Sequence, residues 1–484
     1  MKRKKPIGTK AEEIKGEAGI MKHRIESDSM GKVEIPADRY WGAQTQRALA
    51  NFEMGTEMIP LPLIRAYAVV KCAAAEVNAA LGAVRKEISD AIRQAAQEII
   101  DGKLDNEFPL RIWQSGSGTQ TNMNVNEVIA NRASEILGAA RGEKRLVHAN
   151  DDVNCSQSTN DSFPTAMHIA AVREVKGELL PAIDELHKTL AGLSKSYAGI
   201  VKTGRTHLMD ATPLTLGQAI GGWAAQVSGA REAIVRAVEP VHALALGGTG
   251  VGTGLNTHPD YSRKVAEAIA RLTGEPFISA PNKFAAQSAH DDLVGLSGAL
   301  KQLACALTKI SNDVRWLASG PTCGIGEIYI QSNEPGSSIM PGKSNPTQCE
   351  VMMMVCCQVF GNDAAVTYAG SQGNFELNVY KPLIAYNVLM SIDLLAEAIR
   401  SFDAHCASTI VPNRKRIDDF LGRSLMLVTA LSPHIGHDKA AQIAQKAYAE
   451  GKTLREAAVE LGFVSRELFD ALVKPEEMVK PNLG

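Results

Sequence analysis

Aromatic residues are scarce. Phe, Trp and Tyr together make up 5% of the 484 residues, so the core must be built from aliphatic side chains. The eight cysteines form no CxxC pair and no Cys/His spacing of the zinc-binding kind. Several of them, including Cys72, Cys305, Cys356 and Cys357, lie in apolar helical runs. That placement points to reduced core thiols in a cytoplasmic protein, not to disulfides. Charge of one sign is also missing. A formal net charge of −2 argues against a general nucleic-acid or membrane-coating surface. No apolar run is read as reaching the roughly 18 residues that a membrane-spanning helix needs. Nucleotide cradles fail on spacing. GGTGVGTGLN misses the GxGxxG pattern and follows no strand, and GSSIMPGKS has one residue too many between Gly336 and Gly342 for a P-loop.

Alanine is abundant, and apolar residues recur at three and four. LPLIRAYAVVKCAAAEVNAAL, MHIAAVREVKGELLPAIDEL and LVGLSGALKQLACALTKISNDVRWLA all show this spacing, which predicts a mainly α-helical protein. Helices are expected near residues 61–81, 84–101, 180–200, 260–273 and 286–318, with a further one ending near 239. A short hairpin is expected around VEIP. Residues 1–20 are Lys/Glu-rich with no apolar face and no signal-peptide h-region, and read as a disordered extension, with Met21 an alternative start. The length predicts two or three domains. Very long helices with little else to cover them suggest a bundle that continues across subunits.

Four polar loops carry the chemistry. Gly336 to Glu350 reads GSSIMPGKSNPTQCE. Asn345 suits an N-cap, Pro346 the first helical position and Gln348 the capping-box position. Lys343 would then lie beside a helix N-terminus, where free N–H groups and the helix dipole favour an anion. Ser337 and Ser338 lie just upstream. The other loops are Gly116–Thr119, Ser158–Asn160, and the stretch holding Thr206 and His207. Each alone reads equally well as capping or as a plain connector. If they converge, they suit a small dicarboxylate. Hydroxyls, amides and helix N–H groups would hold its carboxylates, Lys343 would add charge, and His207 or a serine would move a proton. That is proton abstraction α to a carboxylate, with stabilisation of the carbanion formed.

GSSIMPGKSNPTQCE resembles the GSSxMPxKxNP signature of the fumarase/aspartase superfamily. From about Arg24 to Met478 the chain resembles the class II fumarate hydratases, with SGSGTQTNMN, NDDVNCSQSTND, GRTHLMDATPLTLGQ and GGTGVGTGLN following in that family's order. The resemblance implies a three-domain fold, divided at residues 21–157, 158–414 and 415–484. It implies a homotetramer whose long helices form a twenty-helix bundle, with each site built from three subunits. The reaction implied is reversible hydration of fumarate to L-malate through an aci-carboxylate, with no metal and no cofactor. Nucleic-acid and membrane partners are not expected.

Ser337 resembles the base that removes the C3 proton. An unaided serine is a poor base, and its alkoxide needs a positive field from Lys343 and nearby N–H groups. His207 resembles the residue handling the water at C2, and Glu350 its carboxylate partner. Ser117, Gly118, Thr119, Ser158, Thr159, Asn160, Thr206, Ser338, Lys343, Ser344 and Asn345 match substrate-binding positions, as does Arg145 in some relatives. His148, Ala149, Asn150 and Asp151 match a second dicarboxylate site. Ala149 replaces a proline common in relatives and is expected to loosen that loop. Thr159 stands where many relatives have serine but keeps the hydroxyl. Two rivals remain. An aspartate ammonia-lyase typically reads GRTQ where this chain reads GRTH. A non-catalytic structural oligomer would have shed the chemical residues.

Overall fold

A computed structural model describes residues 22–481. The 1–20 extension and Met21 lie outside them. Among the described residues, the apolar periodicity becomes helix wherever a cap or an early proline opens it. Pro62 and Pro382 occupy the first turns of Leu61–Ala80 and Lys381–His405, where a missing N–H costs nothing. Thr215 and Gln218 form a capping box that starts Leu216–Val238. Thr159–Glu174 passes through a π-turn, Val175–Leu179, into Leu180–Ser196. The single helix expected at 286–318 is two, Lys283–Ser288 and Asp291–Leu317. Ala289 and His290 between them have φ −137° and −131°, outside the helical region.

Strands are few and short. The hairpin around VEIP is present, pairing His23–Asp28 with Gly31–Pro36. A second hairpin, Val201–Thr206 with Met209–Thr215, lies where the sequence reads as an irregular loop. A small pair joins Ile328–Tyr329 to Val411–Pro412.

The centre is a set of long helices. Asp291–Leu317 packs along Thr347–Gly370, which packs along Lys381–His405, and Leu216–Val238 joins Leu180–Ser196 to Asp291–Leu317. A buried polar rung pins the register of the first pair. Asp363 accepts from Ser297 Oγ at 2.8 Å and from Lys301 Nζ at 2.6 Å. One apolar cluster runs from Ile35 to Ile417, and a smaller separate one from Leu427 to Phe469.

The expectation about apolar length is corrected here. Asp291–Leu317, Thr347–Gly370 and Lys381–Thr409 are each long and apolar enough to cross a membrane. Scattered charged residues such as Lys301 and Asp363 break the runs as read along the chain, but each helix has an 18-residue window that holds at most two of them. The apolar windows differ in cover: 67% of that in Lys381–Thr409 is buried, against 39% in Thr347–Gly370.

Candidate active site

The Ser117 loop is shaped by two close approaches. Gly118 has φ +79°, and a Cβ there would meet the Phe163 ring at 2.1 Å; only glycine fits this helix start. A Cβ on Gly116 would meet the Val379 carbonyl oxygen, and the Lys381 N–H donates to Gly116 O at 3.0 Å. The result is a hydroxyl cluster, with Ser117 Oγ 2.9 Å from Thr119 Oγ1 and 3.1 Å from Ser115 Oγ. The helix Thr119–Ile136 leads away from it.

Ser158 caps Thr159–Glu174 in a capping box with Asp161, an arrangement worth about 1 kcal/mol. Asp161 also reaches the glycine-rich loop. Its Oδ2 accepts from the N–H groups of Gly247 at 2.9 Å and Thr249 at 2.8 Å. Asn160 Nδ2 donates to Gly250 O at 2.8 Å. Burial pushes the Asp161 carboxyl up to about 6, against the pull of these N–H donors. Ser158, Thr249, Gly250 and Asn256 line a cleft of about 390 Å³.

Beneath both loops lies Lys71, a charged side chain fully buried in an alanine-rich helix. Its ammonium donates to Asn122 Oδ1 at 2.7 Å, Gln157 Oε1 at 2.9 Å and Asn154 Oδ1 at 3.0 Å. Burial pulls its pKa down to about 7, opposed by the charge of Asp161. Asn122 Nδ2 in turn donates to Thr159 Oγ1 at 3.0 Å. Lys381, also buried and pulled down to about 7 by desolvation, donates to Asn378 O. Sequence reasoning passed over Lys71 and Asn122. The available signal was a lone lysine in VVKCAAA and three asparagines in NMNVN, polar residues on helices with no polar face.

The Gly336 loop is exposed and closes on itself. Gly336 N–H donates to Lys343 O at 2.9 Å, and Asn345 Nδ2 to Gly336 O at 2.8 Å. Ser337 Oγ accepts the N–H groups of Met340 at 3.0 Å and Ile339 at 3.2 Å. Those are two of the donors that a serine base requires. Lys343 Nζ donates to Asn345 Oδ1 at 2.7 Å, and Ser344 Oγ accepts from Ser332 Oγ at 2.8 Å. Ser338 is exposed. The expected cap is corrected. Pro346, not Asn345, is the N-cap of Thr347–Gly370, and no side chain caps it. Asn345 is taken up by Lys343 and Gly336, and Gln348 Oε1 accepts from Ser401 Oγ.

His207 and Leu208 form the two-residue tip of the second hairpin, with φ +57° and +61°. This left-handed geometry matches the twist of the strands, at a cost of roughly 1–2 kcal/mol for each non-glycine residue. The base of the hairpin is clamped by Glu327, which is fully buried. Arg205 grips it with two bonds of 3.0 Å, and Lys202 lies at 3.0 Å. Thr206 and His207 are exposed. Glu350, in the first turn of its helix, is also exposed. Among the described residues neither His207 nor Glu350 has a side-chain partner, so the expected pairing is not made within one chain.

The chain therefore brings together the Ser117, Ser158 and Gly247–Gly250 loops. Among the described residues no hydrogen bond joins these to the Gly336 loop or to the His207 tip. Arg145 lies elsewhere, at 3.0 Å from buried Glu26, which also holds Arg24. His148 caps a π-turn, Ala149–Val153, and its Nδ1 accepts the Asp151 N–H at 3.2 Å. Ala149 is buried, and its carbonyl accepts from Asn154 N–H. These bonds close the turn. Asn150 and Asp151 are exposed.

Residues 31–361 match the lyase family, and residues 427–480 match the C-terminal family of fumarase C. The chain is 60% identical to the class II fumarate hydratase of Yersinia pestis over 456 residues, 94% of this chain and 98% of that one. It is 59% identical to that of Thermosynechococcus vestitus over the same shares. The crystal structure of the class II fumarase from Schistosoma mansoni superposes with a TM-score of 0.94 at 44% identity, covering 96% of this chain and all of the other. With its fold, its loop order and its near-complete coverage of these relatives in agreement, the chain belongs to the class II fumarate hydratase family.

Proposed function

We infer that this chain is a hydro-lyase that interconverts fumarate and L-malate, small dicarboxylates, and works as a homo-oligomer. Ser337 removes the C3 proton of malate, leaving an aci-carboxylate. His207, oriented by Glu350, protonates the departing C2 hydroxyl as water, and in the reverse direction activates that water. Ser117, Thr119, Ser158, Thr159, Asn160, Thr206, Ser338, Lys343, Ser344 and Asn345 hold the two carboxylates, with Gly118 providing the close turn. The observation that carries this reading is the Ser337 oxygen resting on two backbone N–H groups. Donors aimed at an oxygen favour its anion, the form a serine base needs.

The homotetramer, with each site drawn from three subunits, is the assembly this reading requires. Among the described residues His207 and Glu350 have no side-chain partner within one chain, and no hydrogen bond joins the Gly336 loop to the Ser117 and Ser158 loops. Thr347–Gly370 is long and largely apolar yet only partly covered, as expected of a helix in a bundle shared between subunits. The divisions at 21–157, 158–414 and 415–484 go with that assembly, the last supported by the separate Leu427–Phe469 cluster. Arg145, which matches a substrate-binding position in some relatives, pairs with Glu26 within the chain, and His148–Asp151 match a second dicarboxylate site. A reducing, cytoplasmic compartment suits Cys349 and Cys406, buried as free thiols 4.0 Å apart.

The test follows fumarate absorbance with purified protein, first on L-malate and then on L-aspartate. Fumarate is expected from malate alone. Activity on aspartate alone would make the chain an ammonia-lyase, and activity on neither would favour a structural oligomer.

A further inference from the structure

The buried Lys71 is not needed for any step described above, yet its surroundings are built around it. Three amide oxygens face its nitrogen, at 2.7, 2.9 and 3.0 Å. An ammonium has three donors and no acceptor, so it matches three oxygens. A neutral amine would turn a lone pair on one of them. The cation thereby forces Asn122, Asn154 and Gln157 to present their oxygens inward and their NH2 groups outward. The outward groups all find acceptors: Gln157 Nε2 on Val153 O at 3.0 Å, Asn154 Nδ2 on Gln157 O at 3.2 Å, and Asn122 Nδ2 on Asn154 Oδ1 at 3.1 Å.

The remaining outward bond is the consequential one. Asn122 Nδ2 donates to Thr159 Oγ1 at 3.0 Å. Thr159 is therefore an acceptor on its buried side, and its own hydroxyl proton is left to be given away. If the Asn122 amide turned over, its oxygen would face Thr159, capture that proton and leave only a lone pair for the ligand. An anionic carboxylate needs a donor there.

We propose that Lys71 is a positioning residue for fumarate and malate binding: through the Asn122 amide it sets the donor direction of the Thr159 hydroxyl. The proposal rests on the reading of Thr159 as a carboxylate contact. It makes Lys71 a director of polarity in the site, acting without touching the ligand. Its effect belongs in KM, because a carboxylate held alike in ground and transition states contributes to binding without altering turnover.

The test is a mutant cycle on the full-length protein, with KM and kcat for L-malate and the melting temperature measured for each variant. Asn122→Asp keeps the shape and the Lys71 contact but replaces the donor facing Thr159 with an acceptor. Alone it is expected to raise KM roughly ten- to hundredfold, with kcat within a few fold. Thr159→Val alone should raise KM similarly. The double variant should be no worse than Thr159→Val, because the hydroxyl through which Asn122 acts is gone. Lys71→Met should raise KM like Asn122→Asp and also be silent in the Thr159→Val background, and a wild-type KM in Lys71→Met would overturn the proposal; should Lys71→Met not fold, Lys71→Gln, which keeps a polar group there without the charge, is read in the same way. An Asn122→Asp effect of equal size with and without the Thr159 hydroxyl would reduce it to charge repulsion and overturn the proposal. So would a wild-type KM in Asn122→Asp when Thr159→Val is impaired. A wild-type KM in Thr159→Val would instead remove Thr159 from the ligand, and with it both the underlying reading and this one.

Discussion

At the scale of single residues, the site depends on groups made to behave unlike their free forms. In the proposed mechanism Ser337 acts as a base, and the Ile339 and Met340 N–H groups that donate to its oxygen would stabilise its alkoxide. Lys343 Nζ is bound to Asn345 at 2.7 Å, so its charge is steered by a neighbour of the loop. Ser337→Ala should lower kcat by roughly 10²- to 10⁴-fold with a smaller change in KM, the range for loss of a general base. His207→Asn should lower turnover by roughly 10²-fold or more while the oligomer persists in sedimentation; near-normal turnover would take His207 out of the mechanism. Ser337, His207 and Lys343 were all legible in the sequence, because each stands in a short motif. The role of Asn345 was not. Local rules nominate an asparagine before a proline as a cap, but its side chain instead closes a loop onto Gly336, nine residues away.

At the scale of elements, the His207 hairpin is the part that sequence reasoning missed. GRTHLMDATPLT alternates poorly because the register shifts between Lys202 and Gly204, and a β-bulge hides the period of two. What makes it a rigid hairpin is Glu327, more than a hundred residues away and fully buried, which satisfies both Arg205 and Lys202. Removing one partner from such a cluster strands buried charge, at about 3–5 kcal/mol. Glu327→Gln is expected to approach that loss in denaturant unfolding, and to lower kcat under conditions where the protein stays folded, as the His207 tip loses its anchor. An unchanged unfolding midpoint would show that the clamp contributes nothing net.

At the scale of the whole molecule, the helix Thr347–Gly370 has more apolar surface than one chain can cover. Val351, Met354 and Tyr368 are 42%, 64% and 62% exposed, and three-residue steps along a helix place Val351 and Met354 on one side. The same helix carries Glu350 at its start. Met354→Glu is expected to dissociate the oligomer in sedimentation and to abolish malate turnover with it, since the proposed site, drawn from several chains, would not survive their separation. A fully active, undissociated Met354→Glu protein would show that this face lies outside the interfaces.

The helical class and most helix positions were determined by the sequence alone, and the chemistry proposed for the Gly336, Ser117, Ser158 and His207 segments is read from their motifs. Periodicity, prolines in first turns and short motifs act over a few residues and need no partner. Three features were decided only by the tertiary structure. These are the Glu327 clamp under the hairpin, the Asp161 bridge to the Gly247 loop, and the Lys71 cradle that orients Asn122 toward Thr159. In each, a charged group is stable out of water only because partners distant in sequence supply its hydrogen bonds. No local pattern encodes which partners those will be. Lys71 appears in the sequence only as a lysine interrupting an alanine-rich helix; the fold turns it into the residue around which three amides are arranged.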